Sequence, residues 1–212
     1  LYELAQPLFQ SGRTPEAQTL SLSVVAHALR SGTSSPHRWE GPATPLQTAV
    51  KERHAGFLKA LLSARASPSE ADGKGVSVLH IASFNGSSEL CRMLLLARAS
   101  VNVQDCHGQT PLFFAPSRGM CELLCQHHGS VNITNQKGQS ALHLAGRGAL
   151  GDVALWLTSR MSRNVIDLRD AHGATAAYYA RHAGVKAEIL AKMQPPAEGA
   201  CSSSADAPQR RR

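Results

Sequence analysis

The residues that come nearest to a metal-binding pattern lie between positions 106 and 128. Cys121 and Cys125 are four residues apart, which would place them on one face of a helix, and two histidines follow at 127 and 128. A Cys-His pair precedes them at 106 and 107. Structural zinc sites, however, usually combine a cysteine pair with a second, well-separated ligand pair. Cysteines at helical spacing also serve as small apolar core residues, so we predict no metal here.

Two histidines would suit general acid–base chemistry if a nucleophile or a carboxylate accompanied them. His80 and His143 end two similar phrases, Ser77-Val78-Leu79-His80 and Ser140-Ala141-Leu142-His143. No G-x-S-x-G, H-E-x-x-H or G-x-x-x-x-G-K-[ST] pattern occurs in the chain. A G-x-G-x-x-G pattern at 146–151 lacks the preceding strand that a dinucleotide site requires. We therefore expect no catalytic residue and no cofactor.

Composition and charge favour some classes of protein and disfavour others. The chain has 212 residues and a net charge of +7, which favours acidic partners without identifying one. No stretch approaches 18 consecutive apolar residues, so the sequence predicts no transmembrane helix. The five cysteines are odd in number and lack a framework-like spacing, which favours reduced thiols in an intracellular, cytoplasmic setting. The chain begins at Leu1, so we expect a removed segment or an excerpt of a longer protein, and an organelle stays open.

The elements that must position these residues recur with a period of 33. Leu46, Leu79 and Leu112 are 33 apart, and each follows a serine or threonine by two residues. The phrase returns at Leu142 after 30 residues and, without its leucine, at Ala177 after 35 more. Self-similarity at this period indicates stacked supersecondary units, each too small to bury its apolar face alone.

Each unit reads as a turn followed by two short helices. In the first and third copies the opening phrase is Thr44-Pro45-Leu46 and Thr110-Pro111-Leu112. The threonine can cap the first helix, and proline suits the first helical position because its missing N–H would be unpaired there. Apolar residues at three- and four-residue spacing then predict a second helix, for example at 90–97.

These phrases resemble the ankyrin repeat. The likeness rests on the Thr-Pro-Leu phrase, the leucine pairs after it, the Ser-Val-Asn phrases at 100–102 and 130–132, and the Asp-x-x-Gly turns at 72–75, 105–108 and 170–173. The family implies an all-α solenoid of turn–helix–helix units with hairpin fingers. It further implies that protein partners bind along the fingers and the concave helix face. It also implies that His80 and His143 bond back to the helix cap.

The resemblance divides the chain into three parts. Residues 1–40 are expected to form a helical N-terminal cap with a divergent leading repeat. Residues 41–194 are expected to hold about four ankyrin repeats and a C-terminal cap. Residues 195–212 are expected to be a disordered basic tail.

The third and fourth units depart from the pattern. The third is three residues short and contains Pro116, so its first helix should be little more than one turn. Either a surface connection tolerates the deletion, or a kink exposes Phe113 or Phe114 as an apolar anchor. The fourth has an insertion of about three residues at 161–166, and Gly146 and Gly148 should each cost its first helix about 1 kcal/mol.

Positively charged residues replace the left-handed glycine that this family usually places just after the second helix. They are Arg65, Arg98, His128 and Arg160, called the basic ladder below. The ladder could dock an acidic protein segment, bind nucleic acid or merely offset the helix dipole. The chain shows no known nucleic-acid motif, which weighs against the second interpretation.

The pattern as a whole predicts a non-catalytic protein–protein interaction module, an adaptor or a subunit of a larger assembly. Two alternatives stay open, a regulatory ankyrin segment of a longer enzyme or channel and a structural staple in a cytoskeletal or organellar complex. The predicted contact residues lie at finger tips and on first helices. They are Lys51, Glu52, Phe84, Asn85, Gln104, His107, Gln136 and Lys137, with Phe114 from the shortened unit.

Overall fold

The computed structural model describes residues 44–193. The predicted N-terminal cap with its leading repeat and the predicted disordered tail lie outside the described residues. Residues 44–193 contain helices and no strand, which confirms the all-α prediction. The α-helices are α1 (Pro45–Lys51), α2 (Ala55–Ser63), α3 (Val78–Phe84), α4 (Ser88–Leu96), α5 (Arg118–Gln126), α6 (Ala141–Arg147), α7 (Gly151–Arg160), α8 (Arg163–Ile166), α9 (Ala176–His182) and α10 (Ala187–Met193), and a 3-10 helix spans Pro111–Phe114. None of these helices is long and apolar enough to cross a bilayer.

The chain divides into two compact units, the first ending at Val101 and the second beginning at Asn102. In the first unit α3 packs against α1 and α4, and α2 packs against the same two helices. In the second unit α6 packs against the 3-10 helix and α9, while α7 packs against α5 and α10. Each unit therefore has a layer of first helices and a layer of second helices. The leucines of the repeated phrase lie in the core between these two layers and are at most 1% exposed; they are Leu46, Leu79 and Leu142.

Side-chain caps begin the first helices, as the phrases predict. The Thr44 hydroxyl accepts a hydrogen bond from the Gln47 backbone N–H at 3.1 Å, and the Gln47 side chain accepts one from the Thr44 N–H at 3.3 Å. Such a reciprocal pair satisfies two backbone donors that the helix leaves free. In the third unit Phe113 takes the place of Gln47 and has no acceptor. The Phe113 N–H donates to the Thr110 carbonyl at 3.0 Å and not to the hydroxyl, and the buried Thr110 hydroxyl has no hydrogen-bond partner among the described residues.

The finger turns are built on an aspartate or asparagine side chain. Asp72 Oδ1 accepts from the Lys74 and Val76 backbone N–H groups at 2.8 and 2.9 Å. The glycine three residues after each such side chain has a φ between 69° and 77°, a conformation that costs glycine little. The turns begin at Asp72, Asp105, Asn135 and Asp170 and contain Gly75, Gly108, Gly138 and Gly173.

A left-handed residue also closes the connection between the two helices of most units. Arg53, Gly86, Ala149 and Gly184 have positive φ, and each lies seven residues after Leu46 or its counterpart. The three-residue deletion removes this position from the third unit. Its first helix is a four-residue 3-10 helix, which leaves through Ala115 at φ −65° and ψ 117°. The predicted single turn is confirmed.

The ends of the second helices confirm the left-handed conformation for three residues of the basic ladder but not for the fourth. Arg65, Arg98 and His128 have φ of 63°, 65° and 68°, in the left-handed region. The prediction for Arg160 is wrong, because this residue is the last of α7 and Met161 follows in an extended conformation, φ −81° and ψ 150°. From Met161 the chain enters α8, which is a single helical turn within the insertion. The insertion is two residues long rather than about three, because the segment 157–170 exceeds the equivalent segment 94–105 by two residues.

Two further expectations change with the packing. Phe113 is 7% exposed, so the alternative in which this residue forms an exposed anchor is wrong, while Phe114 is half-buried. Gly148 is the C-cap of α6 and not an interior residue, so the predicted helical cost does not apply to it. Gly146 does lie within α6, where an added Cβ would stand 2.8 Å from the Ala176 carbonyl oxygen. This glycine lets α6 and α9 approach closely.

Candidate interaction surface

The two histidines that suggested chemistry are buried parts of helix caps. His80 Nδ1 lies 2.8 Å from the Ser77 hydroxyl and accepts a hydrogen bond from the Ser77 N–H at 3.0 Å. His143 Nδ1 makes the same two contacts with Ser140 at 3.0 and 3.2 Å. Burial lowers the pKa of His143, and nearby Asp170 offsets only part of that effect. These histidines therefore hold helix starts, as the resemblance implies.

Cys121 is buried and Cys125 half-buried on α5. Burial raises the pKa of Cys121 to about 12, and its neighbour Cys125 adds to the shift. Burial also raises the pKa of Cys125, although Arg160 opposes it. A thiolate is the form that binds metal or attacks a substrate, so neither cysteine is prepared for that chemistry. Within residues 44–193 no group of three or more His, Cys, Asp or Glu side chains could hold a metal ion.

Backbone hydrogen bonds join consecutive fingers in the second unit. The Gln136 N–H donates to the His107 carbonyl, and the Ala171 N–H donates to the Lys137 carbonyl, both at 2.9 Å. His107, Lys137 and His172 each stand two residues after the turn-forming aspartate or asparagine, and all three are exposed. Successive fingers thus present equivalent tip positions to one side. In the first unit the exposed Lys74 holds the same position.

A second set of bonds links repeats at the base of the fingers. The Ser130 N–H donates to Asn102 Oδ1 at 2.8 Å, and Asn102 Nδ2 donates to the His128 carbonyl at 3.0 Å. The Ser162 N–H donates to Asn132 Oδ1 at 3.1 Å in the next repeat. These asparagine side chains are therefore used in stacking.

Asp170 ties the last finger to the first helix behind it. Its Oδ2 accepts hydrogen bonds from Gln139 Nε2 and the Tyr179 hydroxyl, both at 2.8 Å. Its Oδ1 accepts from the backbone N–H groups of His172 and Ala174 at 2.9 and 3.0 Å. Burial alone would raise the pKa of Asp170, but these four hydrogen bonds outweigh it and lower the pKa. Tyr179 belongs to α9, so the finger leans over the layer of first helices.

The predicted contact residues of the first unit differ in solvent exposure and in hydrogen bonding. Phe84 is 69% exposed at the end of α3, and Lys51 and Glu52 are exposed at the end of α1. Asn85 is half-buried, and its side chain donates to the Val50 carbonyl at 3.4 Å while its own carbonyl accepts from Arg53 at 2.8 Å. Asn85 therefore takes part in joining repeats.

The remaining predicted contact residues lie in the second unit. Gln104, His107, Gln136 and Lys137 are exposed on the fingers, whereas Phe114 is half-buried on the 3-10 helix. The four ladder residues Arg65, Arg98, His128 and Arg160 are exposed as well. Arg160 lies over the Trp156 ring, with its guanidinium carbon 5.7 Å from the ring centroid.

Three exposed residues of the second unit were missed from the sequence. Arg147 and His182 stand five residues after Leu142 and Ala177, the position that Lys51 and Phe84 hold in the first unit. His172 shares the finger-tip position of His107 and Lys137. Counting the register from each phrase leucine would have found them. Leu96 on α4 is 71% exposed as well, but its exposure could not be predicted from the register.

A groove opens where the shortened third unit lacks its helix–helix connection. It has a volume of about 730 Å³ and lies between the start of α5 and the side of α7. Pro116, Arg118, Leu150 and Trp156 are among the residues that line it. Its lining is neither strongly charged nor predominantly apolar.

Known proteins are similar to this chain over most of the described region. The family described as "Ankyrin repeats (3 copies)" matches residues 17–105 and 79–167. The putative palmitoyltransferase ZDHHC13 of Danio rerio is 29% identical over 140 residues, which cover 63% of this chain and 21% of that protein. Neurogenic locus notch homolog protein 1 of Xenopus tropicalis is 28% identical over 141 residues, covering 64% of this chain and 6% of that protein. Inversin of Canis lupus familiaris is 32% identical over 183 residues, covering 81% and 17%. The chain thus spans about a fifth or less of the length of these relatives.

Proposed function

The chain belongs to the ankyrin-repeat family, and we propose that it is a non-catalytic protein–protein interaction module, an adaptor or a subunit of a larger intracellular assembly. Partners bind to the finger tips and to the exposed ends of the first helices. Ankyrin repeats generally mediate protein–protein interaction, which supports the class of function without identifying a partner.

The observation that carries this proposal is the exposure of Phe84. Phe84 is 69% exposed, and burying a phenylalanine side chain fully contributes about 1.5–3 kcal/mol relative to leaving it in water. Large aromatic side chains are frequent anchors of protein interfaces. Phe84 also shares its register position with Lys51, Arg147 and His182, all exposed at the ends of first helices.

Site-specific photocrosslinking in cells tests the proposal, because Leu96 provides a matched control. A photoreactive phenylalanine analogue is placed at Phe84 in one variant and at Leu96 in another, since both side chains are large, apolar and about 70% exposed. We expect position 84 to crosslink to one discrete protein, and we expect position 96 not to crosslink to that protein. Crosslinks from position 96 alone would contradict the proposed surface.

An alanine variant checks that Phe84 contributes to affinity and not only to proximity. Phe84→Ala should weaken binding of the crosslinked protein about tenfold or more, whereas Leu96→Ala should leave it within about twofold. Because both side chains are exposed, neither change should unfold the chain. Equal effects of the two variants would refute the role of Phe84.

A second candidate is that this array serves a longer protein as a regulatory segment. It is favoured by two relatives, the putative palmitoyltransferase and an ADP-ribosylation factor GTPase-activating protein of Arabidopsis thaliana, in which the matched residues are 21% and 15% of the whole. Immunoblotting of the endogenous protein with an antibody against residues 44–193 separates the candidates. A band well above 22.6 kDa supports the second, and a band near that mass rejects it.

A further inference from the structure

Charge is distributed unevenly between the two layers of the second unit. Among its described residues, the exposed carboxylates are Asp152 on α7, Asp167 after α8 and Glu188 on α10, all outside the fingers and first helices. The fingers contain only Asp105, which is half-buried, and Asp170, which is buried, and both use Oδ1 to accept backbone hydrogen bonds of their own turns. The fingers and first helices therefore show no exposed acidic side chain.

The same side of the unit exposes basic and nitrogen-bearing side chains at recurring positions. The residues are His107, Lys137 and His172 at the finger tips and Arg147 and His182 at the ends of α6 and α9, called the basic face below. Within residues 44–193 no hydrogen bond or ion pair engages the side chains of Lys137, Arg147 or His172. These groups are therefore available to a partner without first breaking a contact.

Contacts within the unit bring the finger tips and the helix ends to one surface. Arg147 ends α6, and α6 packs against α9, the helix that carries Tyr179. The Tyr179 hydroxyl donates to Asp170 at 2.8 Å, and Asp170 holds the turn that carries His172. Lys137 adjoins this turn through its carbonyl, which accepts from the Ala171 N–H at 2.9 Å. Arg147, Lys137 and His172 thus surround the same stretch of finger and helix.

An apolar strip runs across the first helices of this unit. Phe114, Leu144 and Tyr179 each stand two residues after Leu112, Leu142 or Ala177 and are half-buried on consecutive first helices. A ligand on the basic face therefore meets both positive charge and partly exposed apolar surface. Duplex nucleic acid would need many phosphate contacts and has no apolar residue for this strip.

We propose that the basic face binds an acidic segment of a partner protein, with carboxylates on both sides of an apolar residue. The carboxylates pair with Lys137 and Arg147 and accept hydrogen bonds from the finger-tip histidines, while the apolar residue covers Leu144. This inference rests on the proposed function and names the chemistry of the partner. Charge complementarity of this kind fixes register and speeds association.

A labelled peptide tests the inference directly. The probe is a fluorescein-labelled 12-residue peptide of alternating glutamate and leucine, compared with a peptide in which glutamine replaces every glutamate. Using the full chain at 50 mM salt, we expect the acidic peptide to bind at least about fivefold more tightly than the neutral one, since each exposed charge pair adds a modest increment. We also expect its affinity to fall as salt is raised to 300 mM.

Charge-matched variants locate the binding. The Lys137→Gln and Arg147→Gln double variant should weaken the acidic peptide about tenfold, because it removes two pairs. The control is Lys186→Gln with Lys192→Gln, which lowers the net charge equally near and on α10 and should change the affinity less than twofold. Circular dichroism confirms that both variants are folded, as all four side chains are exposed.

Three results would overturn the inference. They are equal affinity for the acidic and neutral peptides, equal weakening by the two double variants, and binding of a 12-base-pair DNA duplex as tight as that of the acidic peptide. The proposed function fails separately, because it depends on crosslinking at Phe84 in the first unit. If a partner crosslinked at Phe84 binds equally well to the Lys137 and Arg147 double variant, the proposed interaction module is supported, whereas the inferred preference for an acidic segment is wrong.

Discussion

Replacing Gly146 by alanine should destabilise the protein even though alanine is the better helix former. In an isolated helix the change would stabilise by about 1 kcal/mol. Here the new Cβ would stand 2.8 Å from the Ala176 carbonyl oxygen, 3.2 Å from the Ala180 nitrogen and 3.3 Å from the Ala180 Cβ. Two of these three atoms belong to the backbone of α9 and the third is a Cβ fixed to it, so none can rotate away as the tip of a long side chain could.

The magnitude follows from opposing terms. Inserting a methyl group into a packed interface costs about 1–3 kcal/mol, and the short contact with backbone places this site in the upper part of that range. After subtraction of the helix-propensity gain, we expect Gly146→Ala to lower the free energy of unfolding by about 1–2 kcal/mol. The α6–α9 contact should lose its close approach.

Gly119→Ala is the matched control, because Gly119 lies in α5 with no atom within 4 Å of the added Cβ. This variant should raise the free energy of unfolding by about 0.4–1 kcal/mol through helix propensity and reduced unfolded-state entropy. Urea denaturation followed by circular dichroism gives both values on the full chain. If Gly146→Ala stabilises as much as Gly119→Ala, the packing argument for α6 and α9 is refuted.

Three further predictions use the same denaturation assay. Arg98→Gly should be about 0.5–1 kcal/mol more stable than Arg98→Ala, because both lack the charge and only glycine relieves the left-handed φ of 65°; equal stability would show that this position carries no strain. Tyr179→Phe should cost about 1–2 kcal/mol, since the buried Asp170 carboxylate loses a 2.8 Å hydrogen bond, and an unchanged midpoint would contradict the role of this contact. Burial lowers the pKa of His143 below 6.5, so below pH 6.5 the unfolded chain binds a proton that the folded chain does not. The free energy of unfolding should therefore decrease as the pH falls from 6.5 toward the folded-state pKa, and His143→Gln, which copies Gln47 at the equivalent cap, should reduce this decrease; identical pH profiles would contradict it.

Local rules explain why much of the fold could be predicted from the sequence. Thr44 and Ser77 are caps because a hydroxyl in front of an apolar helix satisfies its free N–H groups, and this depends on neighbours only a few residues away. The phrase leucines are buried because their spacing repeats with the helix pairs. The shortened helix at 111–114 follows from Pro116 and the deletion.

The errors concern contacts between repeats, which local rules do not contain. Phe113 is buried because it fills the place of a capping side chain that faces inward. Arg160 stays in α7 because the insertion lets the helix end differently, at Met161. From the sequence, Gly146 is expected only to weaken α6, because its close contact with α9 is visible only in the structure. The hydrogen bond between Gln139 and Asp170 likewise joins residues of different repeats.

The candidate surface was predictable in part for a related reason. The family register identifies exposed positions such as Phe84 and Lys137. The lack of exposed carboxylates on the fingers becomes visible only in the structure, where Asp105 and Asp170 are at least half-buried and accept hydrogen bonds from their own turns. Register alone places Asn85 at the surface, yet its side chain donates to the Val50 carbonyl of α1, the first helix of the preceding repeat.

Hydrogen–deuterium exchange of the full chain, with and without the protein recovered by crosslinking at Phe84, tests the central claim most directly. Binding by fingers and first helices predicts slower exchange at finger residues and in α1, α3, α6 and α9. Protection confined to the second helices α2, α4, α5, α7 and α10, with the fingers unchanged, would contradict it.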